Sequence, residues 1–196
     1  MESTAAATDL FNLTDRELWI VTAAHGRRRG GLVATFVCRA SLVDALPRVL
    51  TALAKQHHTW QLIEDSGSFG LHLFSAEQID WVWHFGGSSG HAADKLAGWA
   101  YQTAVTGAPL LSEAIGWLDC RVESRLDTGD RTVYVAEVVA ARQNRGDAPL
   151  TARELFRLAP PERRAELDQF RQRDSAIDAA AIVAWRRQAA HQKEHG

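Results

Sequence analysis

Residues 85–98 read FGGSSGHAADKLAG, a run of glycines and serines that bares backbone N–H groups and then reaches His91, Asp94 and Lys95. Glycine takes positive φ at little cost, so successive amides of such a loop can converge on one anion or carbonyl, and a neighbouring lysine adds charge. Two other stretches offer related chemistry. Arg27, Arg28 and Arg29 lie between glycines, where guanidinium and backbone donors can meet on a phosphate, although arginine runs are also ordinary solvated loop faces. In KQHHTW, Lys55, His58 and Thr59 place a charge, an imidazole and a hydroxyl within one turn. Trp99 could stack on a bound ring or simply fill core.

Other chemistries find less support. His84 and His91 are seven apart and His57 and His58 adjacent, and neither spacing gives the i, i+4 pair of helical zinc sites. No GxSxG elbow is present, so Ser88 and Ser89 read as hydrogen-bonding hydroxyls, and neither a Walker A nor a GxGxxG sequence occurs. Cys38 and Cys120 are too few and too isolated for a disulfide framework, which points to a reducing, cytoplasmic compartment. With 22 Lys+Arg against 24 Asp+Glu the formal net charge is -2, so no global field draws the chain to nucleic acid or an acidic membrane. MESTAAATDLFNLT lacks the basic and apolar regions of a secretory signal, and no run of 18 apolar residues follows.

The elements that must position these groups are mostly strands. The 196 residues, 46% hydrophobic, suffice for one core with an appendage. Residues 18–24, 32–42, 68–75 and 131–141 are apolar, β-rich runs, and Leu118, Cys120 and Val122 alternate with charged neighbours. LDTGD (126–130) reads as a hairpin turn. Ser75 and Gln78 form a capping box opening a helix over 75–85, and HAADKLAGW predicts another. Residues 46–55 fit either a helix, from the spacing of Leu46, Val49, Leu50 and Leu53, or a buried strand. Antiparallel pairing with short helical inserts predicts a mainly β, α+β fold: a β-barrel with helices outside it. Beyond 144–150 the composition turns to Ala, Arg, Glu and Gln, which predicts a helical tail. Thr151 with Glu154 caps it, Pro161 suits a first helical turn, and Ile177, Ala181, Ile182 and Trp185 form a stripe that must lie on the barrel or a partner subunit.

Four motifs, in order over about residues 14–145, resemble the flavin reductase family, whose fold is an FMN-binding split β-barrel of Greek-key type. They are GLVATFVCRASL (31–42), SGSFGLHLFSAEQ (66–78), FGGSSGHAADKLAGW (85–99) and TGAPLLSEAIGWLDCRVESRLDTGDRTVYVAEVV (106–139). The resemblance implies a flavin-binding domain over 14–148 with a helical extension over 149–196, and a strand at 47–54. It implies that Thr35, Phe36, Val37 and Cys38 meet the isoalloxazine edge, and that Ser41, Lys55, His58 and Thr59 hold the ribityl phosphate, with Arg29 also cofactor-binding. Ser89, Gly90 and Lys95 would close over the flavin. The activity implied is hydride transfer from NADH or NADPH to FMN, in which the cofactors do the chemistry and no catalytic acid or base is needed. Alternatives are an FMN protein that carries electrons or holds flavin without nicotinamide turnover, and a helical-tailed interaction module with a vestigial pocket. A homodimer with flavin sites at the subunit interface, the Trp185 stripe packed across it, and a partner monooxygenase are also implied. Three positions depart from the pattern. Gly129-Asp130-Arg131 stands where the family often has G-D-H, His72 replaces an Asn, and Leu96 replaces an aromatic. Arg131, at the nicotinamide site by this resemblance, would favour a phosphorylated nicotinamide or mark the loss of that donor.

Overall fold

A computed structural model describes residues 2–87 and 94–194, with side chains over 6–87 and 94–191. After the helix α1 (Glu2–Leu13), β1 (Trp19–His25) turns at Gly26, φ 60°, into β2 (Arg28–Ala34). β3 (Val37–Arg39), β4 (Arg48–Ala54), α2 (His58–Ser66) and β5 (Ser68–Leu73) follow. Next come α3 (Asp80–Gly86) and the short pair β6 (Tyr101–Gln102) and β7 (Leu110–Leu111). The long hairpin of β8 (Gly116–Asp127) and β9 (Arg131–Gln143) leads to α4 (Ala152–Leu158) and α5 (Pro161–Glu194).

Seven strands form one antiparallel sheet in the order β2-β1-β5-β8-β9-β4-β3. Its two outermost strands are consecutive in sequence, joined by Thr35 and Phe36 alone. A sheet whose edges are tied by so short a link must curl until they meet, because two residues span at most about 7 Å. Ala52 N donates to Phe36 O at 3.1 Å, drawing the link onto β4. The result is the split barrel that the resemblance implied, within an α+β fold.

Alternation along β1 separates two cores. Val21 and Ala23 face the barrel interior with Leu53, Leu62, Phe69 and Tyr134, whereas Ile20 faces Phe74, Trp81, Phe85 and Leu155. The first core is closed by α2, whose Leu62 and Ile63 are fully buried, and the second by α3 and α4.

Several elements differ from the sequence reading. The strand expected over 32–42 is two strands, and β2 begins inside the arginine run because His25 pairs with Arg28 across a two-residue hairpin. Within the ambiguous stretch 46–55, Arg48–Ala54 is strand, against the 47–54 that the resemblance implied. The described part of HAADKLAGW, residues 94–99, is a pair of turns rather than a helix. Asp94 Oδ1 accepts from Leu96 N, a local bond that competes with helix, and Gly98 lies at φ 78°. α1 and α2 are additional helices, the latter ending where Gly67, φ 68°, donates to Ile63 O. The tail is helical as expected, with Thr151 Oγ1 accepting from Glu154 N at 3.3 Å and α5 opening on Pro161. Its stripe finds its surface on the chain's own barrel, where Trp185 and Ala181 sit against Gly129.

His72 on β5 is wholly buried, with Nδ1 bonded to Ile20 O at 2.9 Å and Nε2 without a partner. Desolvation pushes its pKa down to about 4, so it is neutral in the core. The unfolded chain takes up this proton near pH 6.5 and the folded chain near 4, so stability present above 6.5 is lost as pH falls through that window. The loss is roughly 3 kcal/mol. Thermal denaturation of wild type between pH 7 and 4 is expected to show a steeper fall in Tm than His72→Leu.

Candidate functional site

Where β4 ends, Lys55 N bonds to Asp130 O at 3.0 Å and the chain turns through Gln56 and His57 into α2. α2 carries no side-chain cap, so the positive end of its dipole is open to whatever lies before it. What lies before it is a cavity of about 400 Å³. Gly31, Leu32 and Val33 of β2 form its floor, and Gln56, His57, His58 and Thr59 one wall. Phe85, Gly86 and Gly87 at the end of α3 and Lys95 form a second wall, and Arg173, Asp174 and Ile177 of α5 the roof.

Two glycines of β2 let these walls approach. A Cβ on Gly30 would lie 3.1 Å from His58 Nδ1, and one on Gly31 would lie 2.8 Å from the Phe85 ring. Phe85 itself is fixed by edge contacts to Trp81, His84 and Trp99.

Apart from the Asp174 carboxylate, the polar side chains around the cavity are cationic or can donate a hydrogen bond. Lys95 is buried, with Nζ donating to Phe85 O, and burial pushes its pKa down to about 8, so it remains charged at neutral pH. Gln56 Nε2 is buried with no hydrogen-bond partner, a donor aimed at nothing the protein itself supplies. Burial lowers the pKa of His57, opposed by Asp174 and reinforced by Lys95, Arg131 and Arg173. A buried donor, a helix N-terminus and a buried ammonium around one space suit a phosphorylated ligand.

The structure brings His58, Thr59 and Lys95 together in the cavity. Other residues singled out in the sequence have partners elsewhere. Arg29 pairs with Asp94 at 2.8 Å and with the Tyr101 hydroxyl, and Lys55 with Asp127 at 2.5 Å. Ser41 Oγ accepts from Val43 N at 3.0 Å. Thr35, Phe36, Val37 and Cys38 lie along the β2–β3 link and β3, where Phe36 is exposed beneath the guanidinium of Arg131, 5.2 Å from its ring centroid. Arg131 is held between Asp130 at 3.1 Å and Asp178 at 2.6 Å. Ser89 and Gly90 lie outside the described residues. Sequence reasoning missed Gln56 as a lining residue, weighed His57 for metal alone, placed Ile177 only in the tail stripe, and had no signal for Arg173 and Asp174, whose places depend on where α5 lies.

Comparison with known families decides which family the chain belongs to. Residues 12–156 match the model described as flavin reductase like domain. The chain belongs to the flavin reductase like family. It is 31% identical over 120 residues to a putative diflavin flavoprotein A 3 of Synechocystis sp., covering 61% of this chain and 20% of that protein. It is 29% identical over 131 residues to an FMN reductase (NADH) RutF of Agrobacterium fabrum, covering 67% of this chain and 74% of that one. Among solved structures, the nitrilotriacetate monooxygenase component B homolog of Mycobacterium thermoresistibile superposes with a TM-score of 0.65 at 25% identity, over 77% of this chain and 84% of that one. The chain spans about a fifth of the length of the diflavin flavoproteins it matches. Among the described residues, no helix is long and apolar enough to cross a membrane.

As a member of the flavin reductase like family, the chain is expected to need the open floor that Gly31 gives. Gly31→Ala would drive a methyl into the Phe85 ring, and overpacking of this kind costs about 1–3 kcal/mol. Urea denaturation is expected to show the midpoint falling with no change in slope.

Proposed function

We propose that this chain is an FMN reductase that accepts hydride from a reduced nicotinamide dinucleotide. The observation that carries the reading is the cavity at the α2 N-terminus, where a buried unpartnered Gln56 amide and a charged buried Lys95 face one space within a flavin reductase like fold. Relatives named as an FMN reductase (NADH) and a ferric-chelate reductase (NAD(P)H) support it.

The residues of the cavity fit the ribityl phosphate of FMN. The α2 N-terminus with His58 and Thr59 would hold the phosphate and Lys95 neutralise it, while Gln56 Nε2 would donate to a flavin oxygen. The segment Thr35, Phe36, Val37 and Cys38 would offer backbone groups to the isoalloxazine edge. Ser41, Lys55 and Arg29 would join only by leaving their present partners, so the weight rests on His58, Thr59 and Lys95. When bound, the flavin supplies the hydride acceptor. The chain binds and orients it and keeps water from the ring, and no side chain needs to move a proton.

The reading extends to assembly. Leu42, Val43 and Leu46, in the loop between β3 and β4, are exposed, an apolar surface that a second copy of the chain would cover in a homodimer. The likeness to a monooxygenase component B supports delivery of reduced flavin to a partner monooxygenase, and the two free cysteines support a cytoplasmic setting. A flavin-binding domain over 14–148 with a helical extension over 149–196 is the matching division of the chain.

Anaerobic addition of NADH or NADPH to the FMN-loaded protein is expected to bleach the flavin absorbance. Bleaching by dithionite alone would sink the reductase reading in favour of a flavin-holding protein. Lys95 loses its charge as pH rises through about 8. FMN affinity, read by quenching of flavin fluorescence, is therefore expected to fall between pH 7.5 and 9.5. Lys95→Gln should bind about tenfold or more weakly at pH 7 and lose that pH dependence, because a charge-assisted hydrogen bond contributes about 1.5–3 kcal/mol.

A further inference from the structure

Lys95 brings an ammonium to the cavity from a pair of turns rather than from a helix or strand, so its place depends on what ties those turns down. Both flanks are tied. Before it, Asp94 splits its carboxylate: Oδ1 accepts from Leu96 N at 2.9 Å, closing the turn around Lys95, and Oδ2 accepts from Arg29 Nε at 2.9 Å and Nη2 at 2.8 Å. After it, Leu96 is buried in the core formed with Trp81 and Phe85. The Lys95 carbonyl accepts from His84 Nε2 at 2.6 Å, and its ammonium donates to Phe85 O.

Arg29 is the far end of this arrangement. It stands on β2 two residues before Gly31 and so on the same face of the strand, the face on which the Phe85 ring comes down. Its Nη1 donates to the Tyr101 hydroxyl, and its guanidinium lies over the Tyr101 ring, 5.3 Å from the centroid. With all three nitrogens engaged, Arg29 does not itself line the cavity. β2 is paired with β1 from His25↔Arg28 to Trp19↔Ala34, which makes a side chain on it a firm point of attachment. The arrangement also settles a competition between charges. A free carboxylate next to Lys95 could take its ammonium, whereas one bonded to Arg29 leaves that charge for a ligand.

We infer that Arg29 is a positioning residue of the cavity: through Asp94 it fixes the turn that presents Lys95 to the ligand phosphate, and it does not touch that phosphate itself. The inference rests on the reading of the cavity as an FMN phosphate site. It gives a different role to a residue that the family resemblance had placed on the flavin. The titratable groups around the Lys95 side of the cavity are His57 and His58 of α2, His84 of α3, and Arg173 and Asp174 of α5. Burial, rather than any of these charges, pushes the Lys95 pKa down to about 8, so its titration reports how firmly the ammonium is held out of water.

Two measurements on the full chain test the role. The first compares FMN dissociation constants of wild type, Arg29→Gln, Lys95→Gln and the double variant at pH 7. Arg29→Gln is expected to weaken FMN by about threefold or more, because the charge-assisted contact of Lys95 is partly lost. The double variant should bind no more weakly than Lys95→Gln, since two residues acting through one contact are not additive. Arg29→Lys, which keeps the pair with Asp94, should recover most of the affinity. Arg27→Gln, the same charge change in the exposed β1–β2 turn, should leave it unaltered. The second measurement needs no flavin. The chain has three lysines, Lys55, Lys95 and Lys193, so the NMR resonances of isotope-labelled lysine side chains can be followed singly through a pH titration. The Lys95 midpoint is expected at about 8 in wild type and higher by about one unit or more in Arg29→Gln, as the freed turn returns the ammonium to water. An unmoved midpoint in Arg29→Gln overturns the inference, and so does a double variant in which the two losses multiply. A wild-type chain that binds no FMN, or a Lys95→Gln variant that binds it as well as wild type, sinks the phosphate-site reading instead, and the lysine titration then decides the positioning role by itself.

Discussion

The two-residue link between β2 and β3 governs the architecture. Because Thr35 and Phe36 join opposite edges of a seven-stranded sheet, the sheet has to close on itself, and each strand's alternation then separates an interior face from an exterior one. Everything at the site follows from that closure. β2 becomes a floor against which α2 and Phe85 can pack, and β4 delivers its C-terminal end, Gln56 and His57, to the same place.

Close approach is the second constraint. Gly30 and Gly31 have no side chains where α2 and Phe85 come down on the sheet, and Gly129 has none where α5 crosses the β8–β9 turn. Bare backbone in this protein therefore serves packing of neighbouring elements around a space as much as it serves ligand contact. The glycines that first drew attention, in FGGSSG, are in part of this kind: Gly86 and Gly87 line the cavity at the end of α3.

Electrostatics then divides the cavity into two ends. At the α2 end a helix dipole, a buried amide and Lys95 are poised for an anion. At the α5 end Arg173 is paired with Asp174, and on the same helix Asp178 binds Arg131. The same cations that read alike in a sequence thus have opposite value once their partners are known. Arg29 and Lys55 illustrate it as well, each committed to a carboxylate far along the chain, Asp94 and Asp127.

Much of the fold was legible because its signals are local. Period-two alternation at Leu118, Cys120 and Val122 marks β8, Thr151 with Glu154 marks the start of α4, and the order of four motifs carries the family and the flavin. Residues 46–55 show the limit of periodicity, since both helix and strand fit them and pairing with β9 decides. The short helix α2 and the turns at Asp94 escaped for a related reason: nine residues, or one aspartate side chain, are chosen by contacts across the sheet rather than by propensity. Of the candidate site, the sequence by itself named His58, Thr59 and Lys95, whose chemistry is intrinsic to their side chains. Tertiary structure alone decided that Gln56 lacks a partner, that α5 roofs the cavity, and that Arg131 meets Asp178, because each depends on residues 47 or more positions apart being brought within bonding or packing distance, or kept from it.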